Sequence, residues 1–328
     1  FDGLDITEIE PFNNGDLDGK TALTSMAYNV IDETLNILAD PEFIEFNMIS
    51  MPGLTNTKLT KRIIDLAEQR TDCLAVIDLT NDYQPPSEGF VADISSRIPK
   101  PASMLVDIKG QAYDSSYACA FYPSVLMSLG NGNSLVIPPS VPAIGVMGHT
   151  EQDPATRWFA PAGFNRGGLQ ESTCGLPIID VTYRLTSAER DKLYLKNINP
   201  IAKFPNEGNV IFGQKTLQAR QSALDRINVR RLLIYLKREV RLIANSILFQ
   251  PNILATWREF KGRAETVLKE VQSQFGISDF LVKLDEETTT ADDIDRNFLY
   301  AKIFVQPTRA IEFIQVDFII TRTGVEFV

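Results

Sequence analysis

The sequence predicts an α/β fold in its first part and a mixed α/β arrangement in its second part. An alternating run at 43–50, a capped amphipathic helix at 56–70 and a short apolar run at 73–79 follow one another at the spacing of a strand–helix–strand unit. Further along, a long helical pattern at 224–248 precedes another helix and several strand patterns. A chain of 328 residues with 44% apolar residues can bury more than one core.

The other elements of the first part carry weaker signals. Residues 21–40 predict a helix that ends before Pro41, and we expect a short helix near 90–97 and a strand near 102–107. The stretch 137–175 is dense in Pro and Gly and predicts a long ordered loop, a kind of segment that often carries function.

A new helical element opens at 186–195, with Thr186 or Ser187 as its cap and Glu189 in its first turn, and we place the domain boundary near it. We therefore predict two domains, at 1–185 and 186–328. The remaining predicted elements are a helix at 254–275 stopped by Gly276 and strands at 210–213, 280–285, 299–306 and 311–321.

The helix predicted at 224–248 carries two stripes. The apolar stripe must face a core and consists of Val229, Leu233, Leu236, Val240, Ile243 and Ile247. The stripe beside it, here called the basic rail, consists of Arg226, Arg230, Lys237 and Arg241. Such a rail, in a chain of net charge −10, fits a contact with acidic neighbours. It equally fits a packed helix whose arginines pair with the chain's own Asp and Glu, and the sequence leaves both open.

Composition and spacing argue against several other classes. The acidic balance disfavours nucleic acid as the main partner, and no apolar run is long enough to cross a bilayer. The three cysteines are widely spaced and predict reduced thiols in an intracellular setting. With His149 as the only histidine, a zinc site has almost no ligands. The Gly-rich stretch at 130–134 lacks a phosphate-loop Lys, and the acidic run at 285–295 lacks the EF-hand pattern, so we predict no cofactor and no metal.

Three residues invite comparison with serine proteases. Ser25 lies in TSMA and Asp78 in AVID, strings that look like the serine and aspartate regions of subtilases, and His149 could supply the base. The order is wrong, because subtilases run Asp, His, Ser. We therefore predict no enzyme, with Ser25 as a helix residue, Asp78 as a strand-end cap and His149 as a loop residue. A serine hydrolase using these three residues is the alternative.

A series of separated motifs carries a more specific resemblance. The motifs are AFYPSVLM at 120–127, VIPPSVPAIGVMGHTEQDPATRWFAPAG at 136–163, NINPIAKFPNEGNVIFGQKT at 197–216, LDRINVRRL at 224–232, FQPN at 249–252 with Trp257, and PTRAIEFIQVDF at 307–318. In this order they resemble contractile bacteriophage tail sheath proteins and the related sheaths of R-type pyocins, over roughly residues 110–328.

The resemblance implies a structural protein. It implies a subtilisin-like, non-catalytic α/β domain followed by a C-terminal sheath domain, in a subunit that polymerises around the tail tube and contracts to drive the tube through the host envelope. The implied partners are sheath subunits in stacked hexameric rings, the tail tube protein, and baseplate and tail terminator proteins, with no nucleic acid and no membrane insertion. The implied location is the virion tail, assembled in the host cytoplasm.

The resemblance also suggests where contacts form. Because family members exchange terminal strands, the candidates for a C-terminal link are Ile311, Phe313, Val316, Phe318 and Ile320. The basic rail is the candidate tube contact, so we expect Arg230→Glu with Lys237→Glu to weaken tube attachment and leave the fold intact. The chain has no initiator Met and no clear match to the family's N-terminal arm, which predicts a fragment that does not polymerise alone.

Overall fold

The computed structural model describes residues 14–312, apart from 18, 22, 86–93 and 99. In chain order the strands are β1 (Met48–Ser50), β2 (Leu74–Ile77), β3 (Ala118–Tyr122), β4 (Val125–Gly130), β5 (Asn133–Ile137), β6 (Ile178–Val181), β7 (Asn199–Phe204), β8 (Gly208–Ile211), β9 (Ile277–Lys283) and β10 (Lys302–Pro307). The helices are α1 (Met26–Leu38), α2 (Thr57–Arg70), α3 (Pro101–Gln111), α4 (Ser140–Gln152), α5 (Glu171–Cys174), α6 (Ser187–Leu195), α7 (Ile227–Ile247), α8 (Leu254–Ser273) and α9 (Ala291–Asp295). No described helix is long and apolar enough to span a membrane.

The main sheet has five strands in the order β1–β2–β3–β7–β8. The first four run parallel, and β8 returns antiparallel to β7. Strands β2 and β3 are buried along their whole length, which explains why their sequences are continuous apolar runs and not alternating ones. The predicted α/β class is confirmed.

Strands β7 and β8 lie beyond residue 186, where the sequence predicts a domain boundary. They hydrogen-bond into the main sheet through β3, so this sheet continues to Ile211. The boundary at 185/186 stays a prediction, and we propose that a division after the main sheet, close to the start of α7, fits the hydrogen bonding better.

Two local predictions in the first part are wrong. Residues 101–111 form the helix α3 and not a strand, because Pro101 occupies the first helical position, where its missing N–H costs nothing. Much of the predicted loop at 137–175 is the 13-residue helix α4, with Pro142 in its first turn.

Two glycines of α4 explain how this Gly-rich stretch packs. A Cβ on Gly145 would lie 2.2 Å from the carbonyl oxygen of Cys174, whereas a Cβ on Gly148 would meet nothing within 4 Å. The first glycine is needed for the close approach of α4 to α5, and the second is not.

We expect Gly145→Ala to lower the free energy of unfolding by about 3 kcal/mol, because the new methyl group meets backbone atoms that must move. Gly148→Ala, one turn away, should raise it by about 0.5–1 kcal/mol through its helix propensity. Urea denaturation of both variants checks this, and equal effects of the two substitutions would contradict it.

The free edge of the main sheet, at β8, is covered by the chain itself. The N–H of Gly163 donates to Ile211 (2.9 Å), the N–H of Ile211 donates to Gly167 (2.7 Å) and the N–H of Leu169 donates to Asn209 (2.8 Å). A Cβ on Gly167 would lie 2.5 Å from the Ile211 carbonyl oxygen, so this covering loop needs glycine at that point.

The second part packs α7 and α8 against the antiparallel pair β9–β10. Of the predicted apolar stripe, Leu236, Ile243 and Ile247 are buried in this core and Leu233 and Val240 pack against it. Leu232, which lies outside that stripe, is buried in the same core. Ile227 and Ile234 of the same helix join the core of the main sheet. Helix α7 therefore belongs to both cores and connects them.

Candidate functional site

Asp78 lies directly after β2, at the carboxyl edge of the main sheet, and is buried. Its carboxylate accepts hydrogen bonds from the N–H of Gly53 (2.8 Å) and from the N–H and hydroxyl of Ser140 (3.1 and 2.7 Å). Burial raises the pKa of Asp78, and these hydrogen bonds oppose the rise. The carboxylate thus fastens the first residue of α4 to the end of β2.

Asp82 makes a similar connection. Its carboxylate accepts from the N–H and hydroxyl of Ser124 (3.0 and 2.7 Å), just before β4. Burial raises the pKa of Asp82 to about 7, because the hydrogen bonds from Ser124 offset only part of the desolvation cost. Both carboxylates border a cleft of about 690 Å³.

The structure does not join Ser25, Asp78 and His149 by hydrogen bonds. The Ser25 hydroxyl caps α1 by accepting from the N–H of Tyr28 (3.4 Å). His149 is exposed in the last turn of α4 and not in a loop, so that prediction is wrong. It lies nine residues from Ser140, the residue that contacts Asp78, or about 13 Å along the helix axis. The carboxylate that a triad would need is occupied elsewhere.

The basic rail is largely paired within the chain. Arg230 is 4% exposed, and its guanidinium lies 3.9 Å from the ring centroid of Tyr117 and donates from Nε to the Ser116 carbonyl oxygen (3.2 Å). Arg241 pairs with Asp72 (3.8 Å), and Lys237 donates to the Tyr117 hydroxyl (3.1 Å). Of the four rail residues, only Lys237 and Arg241 are exposed.

Neighbouring basic residues of α7 behave in the same way. Arg231 pairs with Glu151, and Arg238 pairs with Glu45 (3.1 Å). Of the two interpretations that the sequence left open, the structure fits the packed helix, because most of its arginines pair with the chain's own carboxylates. A role of the rail toward a partner stays a prediction.

Arg226, at the N-terminal end of α7, connects the rail to the predicted C-terminal strand. Its Nε lies 2.5 Å from Oε1 of Glu312, and its Nη2 donates to Oε2 (2.9 Å). Glu312 also accepts from the hydroxyl of Tyr194 (2.8 Å) and from Nε2 of Gln214 (3.2 Å). Sequence reasoning missed this cluster because its members stand up to 118 positions apart.

The strand-exchange candidates are only partly described. Ile311 is 82% exposed, and the other candidates (Phe313, Val316, Phe318 and Ile320) lie outside the described residues. Just before them, the antiparallel pair β9–β10 places Phe304 opposite Leu281, and these side chains are 55% and 58% exposed. Ile303 and Val305 of the same strand pack against the core under α7 and α8. The outer face of this two-stranded sheet thus carries one exposed apolar pair, flanked by the pair Lys302–Lys283 and by the pair Gln306–Asp279.

Fold and contacts together are those of a structural protein. Its α/β body contains two buried carboxylates, Asp78 and Asp82, that hydrogen-bond to neighbouring chain segments and belong to no catalytic triad. The long helix α7 joins this body to α8 and the two-stranded sheet β9–β10. Residues 220–321, which include α7 to β10, match the phage tail sheath C-terminal domain. The chain is similar to contractile tail sheath proteins, and the resemblance read from its motifs is confirmed.

Two curated relatives are tail sheath proteins of phages. That of Vibrio phage KVP40 is 36% identical over 197 residues, 60% of this chain and 28% of the relative. That of Enterobacteria phage T4 is 33% identical over 191 residues, 58% of this chain and 28% of the relative. The matched chain therefore spans little more than a quarter of the length of these relatives.

Solved structures show the same fold. A chain of the baseplate of the anti-feeding prophage superposes with a TM-score of 0.71 at 20% identity, covering 95% of this chain and 75% of that one. A chain of the PVC sheath complex, from an extracellular contractile injection system in its contracted state, gives 0.68 at 20% identity, covering 87% and 74%.

Proposed function

We propose that this chain is part of a structural subunit of a contractile phage tail sheath, which polymerises around the tail tube and contracts to drive the tube through the host envelope. The observation that carries the proposal is the 36% identity over 197 residues to a tail sheath protein. The match of residues 220–321 to the sheath C-terminal domain supports it over the part that holds α7, α8 and β9–β10.

The subunit acts without catalysis. The relatives are structural proteins, and Asp78 is bonded to Ser140 and Gly53 where a triad would need it behind His149. Its partners are other sheath subunits in stacked hexameric rings, the tail tube protein, and baseplate and tail terminator proteins. Its location is the virion tail.

Subunits join by strand exchange at the small sheet. Two strands alone make a marginal sheet, and within the described residues β9 and β10 pair only with each other, so each keeps an edge at which a further strand can add its backbone hydrogen bonds. The C-terminal strand that carries Ile311, Phe313, Val316, Phe318 and Ile320 is supplied to a neighbour. Toward the tube, the accessible part of the basic rail is Lys237 and Arg241.

Electron microscopy of the longest natural protein that contains this chain, purified with and without a tail tube protein, tests the proposal. We expect hollow tubes or stacked rings from the intact protein, and dispersed particles from a matched version that ends at residue 310. The deletion removes the strand candidates and leaves β10 and the rest of the described sheets in place.

Each outcome has a separate meaning. Dispersed particles from the intact protein across a range of salt, with tube protein present, would contradict the sheath function. Equal assembly of both versions would leave the sheath function standing and would contradict C-terminal strand exchange.

A further inference from the structure

Glu312 receives hydrogen bonds from three separate elements of the body. Arg226 stands at the start of α7, Tyr194 in α6, and Gln214 follows β8. All three donate to this carboxylate, which is 16% exposed although the neighbouring Ile311 is 82% exposed. A side chain from the C-terminal segment is therefore held by the α/β side of the molecule, away from its own small sheet.

Glu312 lies where the chain crosses from the small sheet to the body. The last backbone hydrogen bond by which the described chain leaves the small sheet runs from the N–H of Thr308 to Gly276 (3.1 Å). Four residues later the chain is fixed again, at Glu312, the second residue of the predicted exchange strand at 311–321. The segment between these two points spans from the small sheet to the body.

The geometry of these hydrogen bonds fixes the orientation of the Glu312 carboxylate as well as its position. A bidentate guanidinium–carboxylate pair holds both groups in one plane, which a single point charge does not. Tyr194 adds a donor to the oxygen that Arg226 Nη2 contacts, and Gln214 adds one to the other oxygen. Burial and the Glu312 charge raise the pKa of Tyr194, so its hydroxyl stays protonated and continues to donate.

We propose that Glu312 is a positioning residue for subunit linkage: it anchors the root of the C-terminal exchange strand to the body through Arg226, Tyr194 and Gln214. The inference rests on the proposed strand exchange and adds the point from which the strand departs. The anchor fixes where a neighbour receives the strand and transmits load from the linked strand into the body, so that pulling on the strand does not peel β10 from β9.

Hydrogen exchange on the unassembled 328-residue chain tests the anchor itself. Glu312→Gln and Arg226→Met should each speed exchange of the backbone amides at 302–308 by about 10-fold or more, because a charge-assisted contact that limits fraying of β10 is lost. The double variant should exchange no faster than the stronger single one, since both remove the same contact. Tyr194→Phe should have a smaller effect of the same sign.

Two controls separate anchoring from general loosening. Arg309→Gln changes an exposed charge in the same segment and should leave the amides at 302–308 unchanged. Amides of β2 and β3 should keep their protection in every variant. Unchanged exchange at 302–308 in both Glu312→Gln and Arg226→Met would overturn the anchor, as would equal loss of protection in β2 and β3.

The linkage is then tested in the intact protein by counting assembled particles in electron micrographs. Glu312→Gln should reduce assembly several-fold while Arg309→Gln assembles like the wild type, and equal assembly of the two would overturn the positioning role. Failure of the wild type to assemble would count against the proposed function alone, because the exchange measurement does not depend on assembly.

Discussion

Replacing Arg230 with Glu is expected to lower the free energy of unfolding by about 3–5 kcal/mol, because it leaves an uncompensated charge in a buried site. The arginine is 4% exposed, lies over the Tyr117 ring and donates to Ser116. A carboxylate there would face the carbonyl oxygen of Ser116 and the electron-rich face of the ring, which cannot donate to it, and of the groups that Arg230 now contacts only the Ser116 hydroxyl could. The sequence-based expectation that this change leaves the fold intact is therefore revised.

Charge reversal of the exposed rail residues is the matched control. Lys237→Glu and Arg241→Glu should each change stability by less than about 1 kcal/mol, since both basic side chains are exposed and the Arg241–Asp72 contact is long (3.8 Å). Urea denaturation measures the stability of all three variants. Co-sedimentation with a tail tube protein should then show weaker binding for the double variant of Lys237 and Arg241. A fully stable Arg230→Glu variant would contradict the burial argument, and undiminished tube binding by the folded double variant would contradict the rail.

Raising the pH from 5 to 8 is expected to destabilise the wild type relative to Asp82→Asn by about 2–3 kcal/mol. The folded-state pKa of Asp82 is raised to about 7, so between the unfolded pKa near 4 and this value the folded state holds a proton that the unfolded state releases. Stability from this group is therefore present at low pH and lost as the pH rises through 7. Asparagine stays neutral and can pair with the Ser124 N–H and hydroxyl, so the stability of the variant lacks this dependence on pH.

Urea midpoints of the two proteins across that range check this prediction. Asp180→Asn is the control, because the pKa of Asp180 is lowered: burial raises it, but hydrogen bonds from Lys203 and Val181 outweigh burial. Asp180 is then ionised in both the folded and the unfolded state above pH 5, so the difference in stability between Asp180→Asn and the wild type should not change with pH. A flat difference for Asp82→Asn as well would mean that its folded carboxyl is already ionised at pH 5.

Elements with a strong local signal are predictable from this sequence. Helix α7 has a long 3.6-residue apolar period, and α6 begins with the Thr186–Glu189 capping box that the structure contains. The buried strand β2 shows as a short apolar run next to a capped helix, since in a parallel sheet both faces are covered.

Helices without a clear apolar face, or with residues that favour loops, are not predictable from this sequence. Helix α3 is short and has little difference between its faces, so an apolar run there reads as a strand. Helix α4 contains proline and two glycines, residues that favour loops, and forms because tertiary packing of Gly145 on α5 overrides propensity.

The candidate site shows the same division. The stripes of α7 follow from periodicity, but which basic residues meet internal partners depends on contacts far apart in sequence. Arg230 reaches Ser116 across 114 positions, and Arg226 reaches Glu312 across 86. No local pattern indicates contacts between residues this far apart, so the sequence predicts the basic rail but not which of its residues are already paired within the chain.

The covered edge at β8 bears on how such chains avoid indiscriminate aggregation. A protein that joins strands with its neighbours runs the risk that any exposed strand edge will capture a passing chain. Here the loop around Gly167 closes that edge of the main sheet with the chain's own backbone, while among the described residues the small sheet consists of β9 and β10 alone. In the proposed linkage, the covered edge at β8 would keep incoming strands off the main sheet, and a side chain at position 167, which would displace the covering loop, would open that edge to unspecific pairing.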